Sequence, residues 1–93
     1  METRAARLGR IRLRSMRRGM REMDLILGAF VENALETMSD DDLAAYESLL
    51  AEDDHDLYRW ILGLDPAPAA HVALIARIAR AAEGIATRAA RGI

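Results

Sequence analysis

From Met23 to Met38, apolar side chains return every three or four residues. Met23, Ile26, Leu27, Phe30, Ala34 and Met38 fit the i, i+3, i+4, i+7 template of an amphipathic helix. Leu25, Val31 and Leu35 widen the stripe, and the spacing predicts a helix from about Met20 to Thr37. A segment this apolar must be covered by neighbours, so it is expected to be the central element. Gly28 inside it costs about 1 kcal/mol against Ala, and a close helix crossing is the expected reason.

The flanking segments read as helices too. Leu8, Ile11, Met16, Ala5 and Ser15 give one side of a helix from about Thr3 to Arg17. Ser39 followed by Asp40, Asp41 and Asp42 reads as an N-cap with a negatively charged first turn. That helix carries Leu43, Tyr46, Leu49 and Leu50 inward and ends near Ala51. A fourth helix starts at Asp53 or Asp54, buries Leu57, Trp60 and Ile61, and stops at Gly63. The stretch 64–68 holds Pro66 and Pro68 and reads as a loop, with Pro68 suited to a first turn. A fifth helix follows to about Arg88, with Val72, Ile75, Ile78, Ala79, Ala82 and Ile85 in register and a fraying Ala- and Arg-rich tail. The expectation is one all-α domain over residues 1–93, a small five-helix bundle.

Charge is unevenly placed. Residues 1–21 hold eight Arg and one Glu, while residues 22–56 hold twelve Asp or Glu and neither Lys nor Arg. Arg7, Arg10, Arg14, Arg17 and Arg21 recur at three- and four-residue steps, so they form a basic stripe opposite the apolar side. Such a stripe is commonly a solvated face, but like charges in a row also invite an anionic partner. The chain has no Cys, which excludes disulfides, a thiol nucleophile and a Cys-based metal site. No stretch reaches the roughly 18–20 consecutive apolar residues of a membrane span. The charged start lacks the apolar core of a signal peptide, and with no separate presequence the expected location is the bacterial cytoplasm rather than the mitochondrial matrix.

Between the first two helices lies Arg17-Arg18-Gly19-Met20-Arg21-Glu22. Gly19 is expected to break the chain there, because only Gly takes positive φ without steric cost. Glu22 is placed to reach back to open amides of the next first turn. Arg14, Arg17, Arg18 and Arg21 would surround the bend, Met20 would be exposed on it, and Tyr58 would be an accessible aromatic. The same pattern also suits a bare helix terminator and a capping acid.

Enzymatic chemistry finds little support. His55 and His71 lack further ligands at helical spacing, and the acidic clusters lack the central Gly of a calcium loop. A helical nucleic-acid-binding or regulatory protein using the Arg stripe is the alternative reading. Against it, aromatics do not interleave with the arginines and the following segment is strongly acidic.

Two motifs carry a resemblance. Arg18-Gly19-Met20-Arg21-Glu22 runs into Met23-Asp24-Leu25-Ile26-Leu27-Gly28-Ala29-Phe30, and Asp54-His55-Asp56-Leu57-Tyr58-Arg59-Trp60-Ile61 follows at the expected separation. In order and spacing over residues 8–63 the chain resembles the succinate dehydrogenase assembly factor 2 family of flavinylation factors. The resemblance implies a five-helix, non-enzymatic protein that binds the flavoprotein subunit of succinate dehydrogenase, and in some bacteria of fumarate reductase. It implies that FAD is carried by that partner and becomes bonded to a partner histidine, with no cofactor held stably by this chain and no nucleic acid or membrane insertion. The R-G-x-x-E positions fall on Arg18, Gly19 and Glu22, with Arg17, Met20, Arg21, Asp24, Arg14 and Tyr58 as further partner-binding candidates.

Overall fold

The computed structural model describes the backbone of residues 1–91 and side chains through Glu83. Among these residues there are five α-helices: α1 (Arg4–Met16), α2 (Arg21–Ala34), α3 (Asp40–Leu50), α4 (Asp54–Ile61) and α5 (Val72–Arg91). Short 3-10 turns, Leu35–Thr37 and Ala69–His71, extend the end of α2 and lead into α5. The expected inward place of Ile85 lies outside the described side chains, and α5 runs to Arg91, past its expected end near Arg88.

The helix ends follow from local chemistry. Thr3 Oγ1 accepts the Ala6 N–H at 3.1 Å, and Ser39 Oγ accepts that of Asp42 at 3.1 Å. Asp53 caps α4 by accepting the His55 N–H at 2.9 Å. Gly63 closes the same helix at φ 74°, the left-handed position that only Gly takes cheaply. There the Leu64 N–H donates to Arg59 O at 2.9 Å and the Gly63 N–H to Trp60 O at 3.1 Å, the paired bonds of a Schellman ending.

As expected, α2 is the hub, packing against α1, α4 and α5. Met23, Leu27, Phe30 and Val31 of α2 meet Ile11 of α1, Leu43, Tyr46 and Leu49 of α3, Leu57 of α4 and Ile78 of α5 in one core. Each such side chain, fully withdrawn from water, contributes roughly 1.5–3 kcal/mol. A polar seam runs through it. The Ser15 hydroxyl donates to Ile11 O and contacts the Tyr46 hydroxyl, both at 2.8 Å, so the phenol serves as donor to Ser15. Burial pushes the Tyr46 phenol up to about 12.

The apolar faces are narrower than the periodicity implies. Leu25 is exposed, because two residues from Met23 and from Leu27 is the far side of a helix. Val72 is exposed for a related reason: the buried row is His71, Leu74, Ile75 and Ile78, and Val72 stands beside it. His71 takes a core place against Trp60, with ring centroids 6.0 Å apart. Met16 and Ala5 are also exposed, since the inward row of α1 is Leu8, Ile11 and Ser15.

Gly28 does not mark a tight crossing. A Cβ there would meet only Met16 Cγ, at 3.8 Å. Gly28→Ala is therefore expected to stabilise the protein by up to about 1 kcal/mol through helix propensity. Urea unfolding measures this, and a destabilised variant would restore the crossing explanation.

Candidate functional site

The basic stripe is divided in the folded chain. Arg7 Nη2 donates to Glu47 Oε2 at 3.0 Å, and Arg10 donates to Glu2 Oε2 at 2.8 Å. Arg10 Nη2 also lies 2.5 Å from the buried Glu47 Oε1, a close ion contact bent away from hydrogen-bond alignment. Arg4 pairs with Asp40 and Arg12 with Glu36. Arg14, Arg17 and Arg21 have no ion-pair or hydrogen-bond partner among the described residues, and they gather at the α1–α2 bend. The continuous stripe on which nucleic-acid binding would depend is thus interrupted by carboxylates.

Glu47 ties α3 to α1. Burial raises its pKa, but the Arg7 and Arg10 guanidiniums more than reverse this and hold it below the ordinary 4.5. A carboxylate depressed in the folded state contributes stability above its unfolded pKa, and that stability is lost as pH falls through the folded value. Glu47→Gln should cost about 1 kcal/mol at neutral pH, the upper end for a pair still 24% and 20% exposed. The difference from wild type should shrink as pH falls below the ordinary 4.5 and through the lowered folded value, beyond which both proteins carry a neutral group. Thermal melts between pH 7 and 2.5 test it; a pH-independent gap would assign the effect to packing.

The bend differs from expectation at four points. Gly63 is the one described residue with positive φ, so Gly19 is not in the left-handed region. Gly19 is exposed, its N–H donates to Asp54 Oδ2 at 3.0 Å, and a Cβ there would meet only that oxygen, at 3.8 Å. The direction change is made instead by Arg17 (φ −120°, ψ 49°) and by extended Met20 (φ −127°, ψ 120°).

Arg18 is turned inward. Its side chain is only 11% exposed. Nε donates to Asp54 Oδ1 at 2.5 Å, Nη1 to Leu50 O at 2.7 Å and Nη2 to Glu52 O at 2.9 Å. All three guanidinium nitrogens are engaged within the fold, so Arg18 is not displayed beside Arg17 and Arg21. Nor does Glu22 reach back to an open amide. It stands exposed, and Asp24 Oδ1 accepts the Arg18 N–H at 2.7 Å instead. Met20 is half-buried against the core rather than exposed; Met16 is the accessible methionine. Tyr58 is half-buried against the core as well.

The α1–α2 bend and the start of α4 border an open recess of about 410 Å³. Arg14 and Arg17 flank it on one side and Glu52 and Asp53 on the other, with Arg18, Gly19 and Asp54 between them. Around it the corner offers the Arg14 and Arg17 guanidiniums, the Glu52 and Asp53 carboxylates and, at Gly19, a stretch of backbone without a side chain. That set suits recognition of a carboxylate-bearing surface. Asp54 is the member that sequence reasoning passed over as a first-turn acid. The signal was present, since Asp53 alone suffices to cap α4. No helix among the described residues is long and apolar enough to cross a membrane.

The family model described as flavinator of succinate dehydrogenase matches residues 9–82, which include the whole corner and α4. The chain belongs to this family. Among curated relatives, the FAD assembly factor SdhE of Legionella pneumophila is 40% identical over 47 residues, 50% of this chain and 60% of its own length. The FAD assembly factor SdhE of Acetobacter pasteurianus is 38% identical over 64 residues, 69% of this chain and 59% of its own. A mitochondrial succinate dehydrogenase assembly factor 2 from Meyerozyma guilliermondii is 41% identical over 59 residues, 63% of this chain and 44% of its own. The chain spans about half the length of the curated relatives it matches. Membership of the flavinator family agrees with the all-helical fold.

Proposed function

We propose that this protein docks on the flavoprotein subunit of succinate dehydrogenase and promotes covalent attachment of FAD to that subunit. The observation that carries the reading is the distribution of its N-terminal arginines. Five are occupied within the fold, and the three without partners converge on the corner that bears the R-G-x-x-E motif. The family's description as flavinator of succinate dehydrogenase and the relatives' names as FAD assembly factors support the choice of partner.

The protein itself makes no bond in this reading. The new linkage would join a partner histidine nitrogen to the flavin 8-methyl carbon, the carbon and the nitrogen each losing a proton and the flavin ring itself taking up the two electrons. What a bound helper adds is orientation of the partner's groups and a fixed cationic environment, both of which lower a barrier without consuming the helper. Arg14, Arg17 and Arg21 supply donors to partner carboxylates, Glu22 takes a partner guanidinium, and the bare Gly19 backbone permits close approach. The protein holds no FAD stably of its own, and it works in the compartment where the subunit is loaded, the bacterial cytoplasm or the mitochondrial matrix.

The test is deletion of the gene, followed by in-gel flavin fluorescence of the dehydrogenase subunit under denaturing conditions. Loss of the signal, restored by the wild-type chain, supports the reading; an undiminished signal rejects it. A fumarate reductase flavoprotein, where the host makes one, is a second client to be scored on the same gel.

A further inference from the structure

We propose that Asp54 is a positioning residue: one carboxylate at the start of α4 sets the shape in which the Arg17–Gly19 loop meets its partner. For the partner this rests on the docking reading above; for the loop it rests on geometry alone.

Asp54 is the first residue of α4, yet its side chain does not cap that helix, because Asp53 already does. Its two oxygens turn to the other end of the motif pair. Oδ1 accepts from Arg18 Nε at 2.5 Å and Oδ2 accepts from the Gly19 N–H at 3.0 Å. The remaining Arg18 nitrogens donate to Leu50 O, at the end of α3, and to Glu52 O in the α3–α4 linker. A guanidinium is well placed against the carbonyl end of a helix. Arg18 and Asp54 are 11% and 17% exposed, so this pair is screened far less than a surface one.

The outcome is a rigid connection between residues more than thirty positions apart in the chain. The Gly19 amide is fixed from α4, and the Arg18 amide from Asp24 of α2. Arg17, between α1 and these two held amides, thereby receives a set direction outward. The arginine of R-G-x-x-E and the first acid of D-x-D-L-Y-x-W thus form one device, which acts on the partner through the loop.

Asp54→Asn tests this with little change of volume. Asn offers a single carbonyl oxygen to two donors, so one bond is lost along with the charge. The full chain, isotopically labelled and checked by circular dichroism for unchanged helix content, is examined in three ways. The Gly19 amide should exchange with solvent at least about tenfold faster than in wild type, as a locally opened bond does. Affinity for the purified flavoprotein subunit lacking covalent FAD should fall about tenfold, or 1.4 kcal/mol. In a double-mutant cycle, Arg17→Ala should cost less affinity in the Asp54→Asn background than in wild type, because a misdirected Arg17 has less to lose.

Unchanged Gly19 exchange overturns the loop assignment whatever the partner does. Faster exchange with affinity within twofold of wild type, or with strictly additive effects of the two variants, overturns the positioning role. Failure of the wild-type chain to bind the subunit rejects the docking reading instead, and the exchange measurement still judges the loop.

Discussion

Gly19→Arg should leave a folded protein that no longer supports flavinylation. Gly19 is exposed, has no positive φ, and would bring its Cβ no closer than 3.8 Å to Asp54 Oδ2. Nothing inside the fold therefore demands a glycine, and the melting temperature should move by no more than about 4 °C. Gly19→Ala should be close to silent in stability for the same reason. Outside the fold the difference is large. An arginine would stand over the recess between Arg14, Arg17 and Asp53, filling the bare backbone that a partner surface approaches. Covalent flavin on the partner subunit should drop at least about tenfold, equivalent to 1.4 kcal/mol or more of lost docking. Wild-type flavinylation by a folded Gly19→Arg protein would remove Gly19 from the contact surface. A melting temperature lowered well beyond that range would mean that the glycine serves the fold.

Much of the architecture was legible because it depends on near neighbours in sequence. Ser39, Asp53 and Gly63 end or begin helices through bonds that reach two to five residues along the chain, and such signals are written locally. The α2 stripe identified the hub for the same reason. Its width was overstated at Leu25, since apolar character alone does not tell which side of a crowded helix receives a neighbour. His71 could be read only as structural or solvated, because a polar ring at a helix start shows no core place until Trp60 is set beside it. The break between α1 and α2 was located correctly, and its wiring was not. The residues from Arg17 to Met20 are not helical, so no period assigns an inward or outward direction to them. Their partners Leu50, Glu52 and Asp54 lie 32 to 36 residues from Arg18. Only the fold brings such groups together, and it does so by packing α3 and α4 against the first two helices. Glu22 attracted the capping role by its spacing, but Asp24, two positions further along α2, is the acid that faces the Arg18 amide.

The adjacent arginines at this corner should behave as opposites. Arg18→Ala removes a guanidinium that makes three hydrogen bonds, one of them to a carboxylate only 17% exposed. It leaves Asp54 with its charge and no counterion, and two carbonyls short of a donor. Breaking one side of a buried pair costs about 3–5 kcal/mol; partial solvation of this pair reduces the expectation to about 2–4 kcal/mol. Against a total stability of about 5–15 kcal/mol, the melting temperature should fall by at least about 10 °C. Arg18→Lys should recover little of this, because a single ammonium cannot serve a carboxylate and two carbonyls in the plane of a guanidinium. Arg17→Ala removes an exposed side chain with no partner among the described residues, and its stability should stay within about 0.5 kcal/mol of wild type. In partner affinity the order should reverse per unit of stability lost. Measured in the cold, where both variants are folded, Arg17→Ala should weaken binding directly through a lost donor, and Arg18→Ala only by the disorder it introduces into the loop. Equal and small stability effects at the two positions would mean that Arg18 is not held inward in solution, and that both guanidiniums face the partner.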